Sequence, residues 1–438
     1  MPFSRNLKIT TRMIKVIYIF PLLLNMSCEK CPTEPEYPEF RIDISADFVG
    51  ATRVRLSVSI SDSGEVREFG IKRNGEEVSR HQLSGSDTLI TDVTANPATA
   101  YQYKGVIYYD GKEIDSSEVI NLTTLDTTSH EVEWTIFRFG YIGSYLRDVF
   151  IVSEDDIWAV GFIETEETLH NDTLDPYNAV HWNGNEWELK RIPSTYKGSA
   201  YPTPLTSVYA FSSSDIWANT GFPKHGDGSN WTLYHLQDMG IQYSGVIEKC
   251  WGTSSDNMFF SGTKGCLIHY IGGNWIVINT NTHRSIDDIY GLSANLIYMV
   301  GSDQDTWSSN FIIYEDGQIR NIDFPDTCMQ AVYATACNDV YLVGEGMLYY
   351  DGRKINDWPL PGEVPRNLLE SIRGNGPNDL FLSGHLGTIV HYNGKTWQYY
   401  RSIQDNYVLL GAIAVKNDRI VAVGTDGPQA YIYFGLRE

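Results

Sequence analysis

The chain has 438 residues, of which 42% are hydrophobic and 20% are charged, and its formal net charge is −22. This length predicts more than one globular domain, each with a sizeable core. The negative charge argues against a nucleic-acid-binding role, because proteins of that class neutralise backbone phosphates with Lys and Arg. The 38 Gly, 28 Tyr and 11 Trp favour many short strands and tight turns over helices.

The N-terminus has the pattern of a secretory signal. Basic residues precede the apolar run Val16 to Leu24, which is too short to span a bilayer. The segment NMSC follows and ends at Cys28, and it resembles the lipobox of bacterial lipoproteins. The resemblance implies that residues 1–27 are a signal peptide, that Cys28 is acylated, and that the Pro- and Glu-rich residues 28–39 form an extended tether. An ordinary secretory signal with a fortuitous cysteine is the alternative.

Residues 40–127 alternate apolar and polar positions between turns such as RNGEE and YDGKE, which predicts a β-sandwich. The second half of this segment resembles a fibronectin type III domain. The residues that carry the resemblance are Val93, Pro97, Tyr101 and Tyr103. It implies a spacer or adhesion module rather than an enzyme.

Residues 128–438 consist of repeats of about 40 residues. A block ending in Gly recurs as WAVG, FFSG, YMVG, YLVG, FLSG and VAVG, with a looser copy WANTG, and an apolar strand precedes each block. A third strand follows, and then a turn leads into a fourth strand that often begins with Trp. Four antiparallel strands in each of seven repeats predict a seven-bladed β-propeller, so the fold class is all-β. The turns WNGNEW, YIGGNW and YNGKTW resemble degenerate Asp-boxes of sialidase-like and photosystem-assembly-factor-like propellers, which implies an architecture rather than an activity.

The seventh repeat reaches Glu438 after only three strands. The segment EVEWTIFRFG, residues 131–140, has the pattern of the missing fourth strand. Its spacing from Trp134 to Arg138 equals the spacing from Trp187 to Arg191 in the first repeat. We therefore predict that residues 131–140 pair as the outer strand of the last blade, so that the two ends of the propeller close the ring.

The repeats contain no convergent catalytic or metal-binding set. The segment KRIP resembles the Arg-Ile-Pro motif of sialidases, but Arg191 recurs at its position in other repeats and is predicted to cover the indole of its strand or to pair at the blade edge. His181, His269 and His391 share one position in different repeats, so they would lie far apart around a ring and cannot meet at one metal ion. Packing or a capping hydrogen bond is the better interpretation, and no cofactor is predicted. Cys250 replaces an apolar residue of other repeats and is predicted to be a buried thiol.

The longest insertions indicate where binding is to be sought. They are residues 162–179, 194–204, 222–230 and 302–310. Three of them are predicted to join a second strand to a third, and one to join a fourth strand to the next first strand. Both kinds of connection emerge on the same face of the propeller, where extended aromatic loops on a rigid scaffold favour binding. The aromatic residues that they carry are Tyr177, Tyr196, Tyr201, Phe222, His225 and Trp307. Neutral loop drift is the alternative.

The sequence thus favours a non-catalytic, monomeric lipoprotein of the bacterial cell envelope, facing the periplasm or the exterior. A lipid anchor would hold it at the membrane, and its propeller face would bind a protein or glycan partner. The alternative is a hydrolase or lyase that acts on glycans, with acidic residues in the propeller funnel. A third hypothesis is an assembly factor for an envelope complex.

Overall fold

The computed structural model describes residues 41–61, 67–83, 85–171, 174–303, 305–306, 308–324, 327–362, 364 and 369–438. The predicted signal peptide, the lipidation site Cys28 and the tether lie outside these residues, as does Trp307. Within the described ranges, no helix is both long and apolar enough to cross a membrane.

Residues 41–123 form two packed sheets. The strands are β1 (Arg41–Val49), β2 (Val54–Ser61), β3 (Arg67–Arg73), β4 (Glu76–Leu83), β5 (Asp87–Asp92), β6 (Ala100–Tyr109), β7 (Lys112–Ser116) and β8 (Ile120–Thr123). One sheet has the order β1-β2-β5, and the other has the order β4-β3-β6-β7 with β8 also paired to β6. Apolar side chains of both sheets, including the fully buried Leu56, Phe69 and Ile71, share one core. The sandwich is therefore present, and its membership of the fibronectin type III family stays a prediction.

The described residues from 132 onward form seven four-stranded sheets, which are the blades of a propeller. Blade 1 contains β10 (Tyr145–Ser153), β11 (Asp156–Ile163), β12 (Tyr177–Trp182) and β13 (Trp187–Lys190), and a short hairpin, β14 (Pro193–Tyr196) with β15 (Ser199–Pro202), follows it. Blade 2 contains β16 (Ser207–Ser212), β17 (Asp215–Asn219), β18 (Pro223–Gly226) and β19 (Trp231–Leu233). Blade 3 contains β20 (Ile247–Ser254), β21 (Asn257–Gly262), β22 (Leu267–Ile271) and β23 (Asn274–Val277).

Blades 4 to 7 repeat this order. Blade 4 contains β24 (Ser285–Ser293), β25 (Leu296–Asp303), β26 (Ser308–Glu315) and β27 (Gln318–Phe324), and blade 5 contains β28 (Met329–Ala336), β29 (Asp339–Gly344), β30 (Met347–Tyr350) and β31 (Ile355–Asp357). Blade 6 contains β32 (Leu369–Gly376), β33 (Asp379–Gly384), β34 (Thr388–Tyr392) and β35 (Trp397–Tyr399). Blade 7 contains β36 (Leu409–Lys416), β37 (Arg419–Thr425), β38 (Ala430–Arg437) and β9 (Val132–Phe139). The helical segments are α1 (Glu166–Leu169) and the 3₁₀ turns Thr263–Gly265, His385–Gly387 and Arg401–Ile403.

The prediction for residues 131–140 is confirmed. Strand β9 pairs antiparallel with β38 from Val132 opposite Arg437 to Phe139 opposite Ala430, and it completes blade 7. Side chains of β9 also reach both neighbouring blades. Trp134 lies 5.3 Å from the ring of Tyr400 beyond blade 6, and Phe137 lies 6.3 Å from the ring of Trp187 in blade 1. The added strand therefore joins blades 6, 7 and 1 by packing as well as by hydrogen bonds.

The sandwich contacts the turns of blades 5 and 6. The guanidinium of Arg53 is 2.9 Å from the buried carboxylate of Asp339 and lies over the ring of Trp358 at 4.7 Å. Thr52 donates a hydrogen bond to the carbonyl of Gly394, at 2.8 Å. Gly394 has φ +91°, and a Cβ there would approach the Cβ of Ala51 to 2.7 Å, so only glycine fits between turn and sandwich.

Lys224 is an exception in the propeller core. It is fully buried at a third-strand position that other blades fill with apolar residues such as Val180, Ile268 and Val390. Its Nζ donates one hydrogen bond, to the carbonyl of Ile192 at 3.3 Å. Burial lowers the pKa of the Lys224 ammonium to about 7, because the charged form loses its hydration.

Replacing residues 132–139 with Gly and Ser in the full chain should lower the melting temperature by about 10 °C or more. The replacement removes the strand pairing and the aromatic packing that close the ring, a loss of several kcal/mol. Differential scanning calorimetry measures the effect. A Gly/Ser replacement of residues 195–200, which lie in the hairpin outside the blades, is the matched control, and an equal shift in both variants would contradict a closing role.

The Lys224→Met variant should be more stable than the wild type at pH 7, and the difference should shrink as the pH rises. Between pH 7 and about 10.4 the unfolded chain holds a proton on Lys224 that the folded chain lacks, so wild-type stability rises with pH by about 1.4 kcal/mol per pH unit from this group. Urea unfolding of both proteins between pH 7 and 9.5 measures the difference. The exposed Lys395→Met is the control, and a pH-independent difference for Lys224→Met would refute a neutral buried amine.

Candidate binding site

The long connections lie at the end of the blades where the first strands begin. In blade 1, Tyr145 at the start of β10 pairs with Phe162 near the end of β11. The connections between second and third strands, and between one blade and the next, therefore emerge at this end, which we call the loop face. The opposite end, with the tight turns inside each blade, is the turn face. The sandwich contacts the turn face through the turns that hold Asn338 and Gly394.

Two of the predicted insertions contain strand residues and are not single loops. Strand β18 lies inside residues 222–230, so the interpretation of that segment as one connection between the second and third strands is wrong. Its His225 stacks on Trp217 at 4.5 Å and is 2.8 Å from the Asp215 carboxylate, which lies towards the turn face. The segment 302–310 is likewise largely occupied by the end of β25 and the start of β26.

Aromatic side chains do meet on the loop face above blade 2. The ring of His235 lies between Tyr196 and Phe222, with 4.5 Å between ring centroids on each side. The hydroxyl of Tyr196 donates a hydrogen bond to the Asp238 carboxylate at 2.8 Å, and Lys197 Nζ lies 4.6 Å from the Tyr196 ring. All three rings are half-buried, so they form a rigid wall with an exposed edge. His235 belongs to the connection 234–246, which the sequence analysis did not single out.

The other predicted residues are distributed differently. Tyr177 lies at the start of β12 under the guanidinium of Arg191, which is 3.7 Å from the ring and donates a hydrogen bond to the Asp175 carbonyl. Arg138 and Arg401 lie over Tyr431 and Tyr399 at 5.2 and 5.4 Å. These arginines cover tyrosine rings, so the prediction that they cover the indole of their own strand is wrong. Tyr201 is in β15 and its side chain lies outside the described part of the chain, as does the whole of Trp307.

A ring of seven residues, one from each repeat, lines the funnel mouth on the loop face. In six blades the first strand has a β-bulge, and the bulged residue is left out of the pairing with the second strand. The mouth encloses about 540 Å³. The seven residues of the ring are Arg147, Thr206, Glu248, Asp287, Gln330, Glu370 and Gly411. Lys249 and Asp288 also line this space, so four carboxyl groups face two cations and the mouth is acidic.

Burial alters two of the mouth carboxyl groups. It raises the pKa of Asp287 to about 7, although Ser302 donates a hydrogen bond to the carboxylate. The nearby charge of Glu248 acts in the same direction. Burial also raises the pKa of Glu370, against the opposing effect of His385, whose Nε2 is 2.9 Å from the Glu370 carboxylate. A cation brought to the mouth would therefore meet carboxyl groups that are poorly solvated.

Below the mouth, charged side chains span the channel. Arg373 of blade 6 reaches Asp288 of blade 4 with two hydrogen bonds of 2.9 and 3.0 Å. Lys249 of blade 3 lies 3.4 Å from Asp148 of blade 1. The same carboxylates accept backbone N–H groups of the next blade, from Val208 and Val332. This ion-pair layer is neutral and ties together blades that are not neighbours.

The lower half of the channel, on the turn-face side, has five aromatic rings in its lining. It encloses about 410 Å³, and we call it the lower chamber. These rings all occupy the same position in their first strands. In each of these blades, that position pairs with the aromatic residue that begins the recurring block of the second strand. The residues at this position in blades 1 to 7 are Phe150, Tyr209, Trp251, Tyr290, Tyr333, Arg373 and Ala414.

The shared histidine position has the predicted local role. His181, His269 and His391 stack on Trp158, Phe259 and Phe381 at 4.2, 3.9 and 4.1 Å. Each also lies within hydrogen-bonding distance of the residue that begins its second strand, at 2.8, 2.7 and 2.9 Å. Among the described residues, no cluster of His, Cys, Asp and Glu could hold a metal ion. Cys250 is buried as predicted, and burial raises its pKa to about 12.

The residues of the funnel could have been found from the sequence. The aligned apolar position of the first strands is Val149 in the first repeat and Ile289 in the fourth. Two residues before it lies the bulge, and one residue after it lies the aromatic position. Applying these two offsets to every repeat gives the seven residues of the funnel mouth and the seven residues at the aromatic position of the lower chamber. The bulge itself changes no spacing between repeats, so the repeat pattern alone does not reveal it.

Comparison with known proteins supports the fold. No protein-family model matches the chain, and no curated protein matches it. Among solved structures, it is similar to one titled YCF48 bound to D1 peptide, with a TM-score of 0.53 and 14% identity over 70% of this chain and 96% of that chain. It is also similar to YCF48 from Cyanidioschyzon merolae, with a TM-score of 0.51 and 13% identity over 69% of this chain and 98% of that chain. At these identities the likeness shows that the chain has a β-propeller fold.

Proposed function

We propose that the chain is a non-catalytic binding protein whose loop face holds an extended, basic segment of a protein partner. The observation that carries this proposal is the funnel mouth, where half-buried Glu248, Asp287 and Glu370 line a space of about 540 Å³. The stack of Tyr196, His235 and Phe222 stands on the same face. A cationic side chain would enter the mouth while the flanking segment lies against the aromatic wall.

Charge favours a basic partner. Asp287 and Glu370 have raised pKa values because water is scarce around them, so a Lys or Arg of a partner would restore their charged forms and bind both strongly. The net charge of −22 would also speed the approach of a cationic partner. A neutral glycan would gain from neither effect, which is why we favour a protein over a glycan.

The similar propeller bound to D1 peptide supports a peptide as the ligand class. That structure is YCF48 with a bound D1 peptide, and its likeness extends over 70% of this chain. The likeness alone does not transfer the peptide or its site. Together with an acidic funnel mouth, it makes a peptide segment the simplest occupant of the loop face.

We further propose that the chain is a monomeric lipoprotein of the bacterial cell envelope, anchored through Cys28 and facing the periplasm or the exterior. The N-terminal pattern supports this, and so does the direction of β1. Its last residues, including Asp47, contact blade 5, whereas Arg41 begins the strand about 20 Å farther away. A tether at that end would leave the loop face pointing away from the membrane. The sandwich would act as a fibronectin type III-like spacer.

Selection from a random 12-residue peptide library displayed on phage tests the peptide proposal. We expect enrichment of peptides with Lys or Arg, and the triple variant Glu248→Gln, Asp287→Asn, Glu370→Gln should bind the selected peptides at least about 10-fold more weakly, because charge-assisted hydrogen bonds are lost. Fluorescence anisotropy measures the affinities. Phe222→Ala should weaken binding several-fold through the aromatic wall.

The matched control removes three exposed charges from the turn face, with Glu154→Gln, Asp155→Asn and Asp256→Asn. It should bind the selected peptides as the wild type does. The peptide proposal is wrong if no basic peptides are enriched, or if the mouth and control variants lose affinity equally.

The alternative function is a hydrolase or lyase that acts on glycans in the funnel. It is favoured by the pKa of Asp287, which burial raises to about 7, since a carboxyl group that is partly protonated near neutral pH can act as a general acid. Incubation with a panel of plant, bacterial and host polysaccharides, followed by a reducing-end assay, separates the two functions. We expect no turnover. Turnover that Asp287→Asn reduces at least about 100-fold, while the turn-face control keeps it, would establish the enzyme.

A further inference from the structure

The lower chamber has the construction of a ligand site, and it is separate from the loop face. Its volume of about 410 Å³ lies in the range of small-molecule pockets. The ion-pair layer of Asp288 and Arg373 forms its boundary towards the funnel mouth. We propose that the lower chamber binds a neutral saccharide of one or two rings.

The aromatic walls are held in place before any ligand enters. The hydroxyl of Tyr209 donates a hydrogen bond to the Gly252 carbonyl of the next blade at 2.9 Å, and Tyr333 does the same to Gly374 at 2.6 Å. The Trp251 ring lies against Gly291 of blade 4, where an added Cβ would come within 2.3 Å of Trp251 Cη2. Rings fixed in this way lose little conformational entropy on binding.

The chamber is polar as well as aromatic. Each first strand is the edge of its sheet, so a row of its backbone N–H and C=O groups faces the channel. Some of these groups are already used, since Arg373 donates to the carbonyls of Val332 and Ile372 at 3.2 and 2.7 Å. The other edge groups need water or a ligand with hydrogen-bonding groups around its rim.

The charges in the chamber select against charged ligands. Asp148 and Asp288 neutralise Lys249 and Arg373, and the remaining charged residue of the lining, Lys416, would repel a cation although its Nζ donates a hydrogen bond to the Val152 carbonyl at 2.7 Å. The aromatic faces carry negative potential and disfavour an anion. A purely apolar ligand would leave the backbone N–H and C=O groups of the edge strands without hydrogen-bond partners. A sugar ring meets all of these conditions, because its C–H face packs on aromatic rings and its hydroxyls reach the strand edges.

Blade 7 has no aromatic ring at this position, which allows a test of the proposal. Ala414 occupies the position that holds an aromatic ring in blades 1 to 5, so Ala414→Phe would fill the chamber with a ring that the neighbouring repeats already tolerate. Ala414→Leu fills it partly. The exposed Ala200 of β15 lies far from the channel in the hairpin on the loop face, so Ala200→Phe is the matched control.

Saturation-transfer NMR on the full chain should detect binding of cellobiose or N-acetylglucosamine, with the largest effects on ring C–H protons. Affinity should fall at least about 10-fold in Ala414→Phe, less in Ala414→Leu, and stay unchanged in Ala200→Phe. Melting temperatures of the variants verify folding, and the leucine variant decides the outcome if the phenylalanine variant is unstable. Preferred binding of choline, galacturonate or indole, no binding of either sugar, or unchanged sugar binding in the folded Ala414 variant would each overturn the proposal.

Discussion

The pairing of β9 with β38 is the interaction on which the rest of the structure depends. Without it, blade 7 would have three strands and an open edge, and the ring of blades could part between its first and last members. The funnel exists only in a closed ring, because its mouth and its lower chamber take one residue from each repeat. The geometry of both therefore depends on eight residues that lie before blade 1 in the sequence.

The closing strand also joins the sandwich to the ring. Residues just before β9 are fixed to blade 6, where His130 Nδ1 lies 2.8 Å from His391 Nδ1 and the Tyr400 hydroxyl donates to the His130 carbonyl. His391 Nε2 is 2.9 Å from the Asp379 carboxylate, so this nitrogen carries the proton and His130 Nδ1–H donates to His391. Burial, with His391 and Arg437 nearby, lowers the pKa of His130 to about 4, which keeps the chain of donors intact at neutral pH. The junction is thus ordered by hydrogen bonds rather than by a loose linker.

The repeat spacing predicted the blades and the closure because both follow from backbone pairing. Trp134 and Arg138 of the closing strand carry the same spacing as their counterparts in other repeats, and pairing order follows from that pattern. The loop face was predicted less well. Gly226 and His225 look like loop residues beside GDGSN, yet their register opposite Ile216 and Trp217 makes them strand. His235 could not be found because its partners Tyr196 and Phe222 come from different connections, and loop conformation does not follow the repeat.

The ion-pair layer ties the inner strands together, which allows connections of very different length on the loop face. A single charge in a narrow channel would be costly, whereas Asp288 with Arg373 and Asp148 with Lys249 leave no net charge there. Because both carboxylates also accept N–H groups from the next blade, each pair connects three blades rather than two. The inner strands are thereby tied across the channel and around it. The connections on the loop face lie outside this network, so they can lengthen, as they do around blades 1 and 2, without disturbing the register that shapes the funnel.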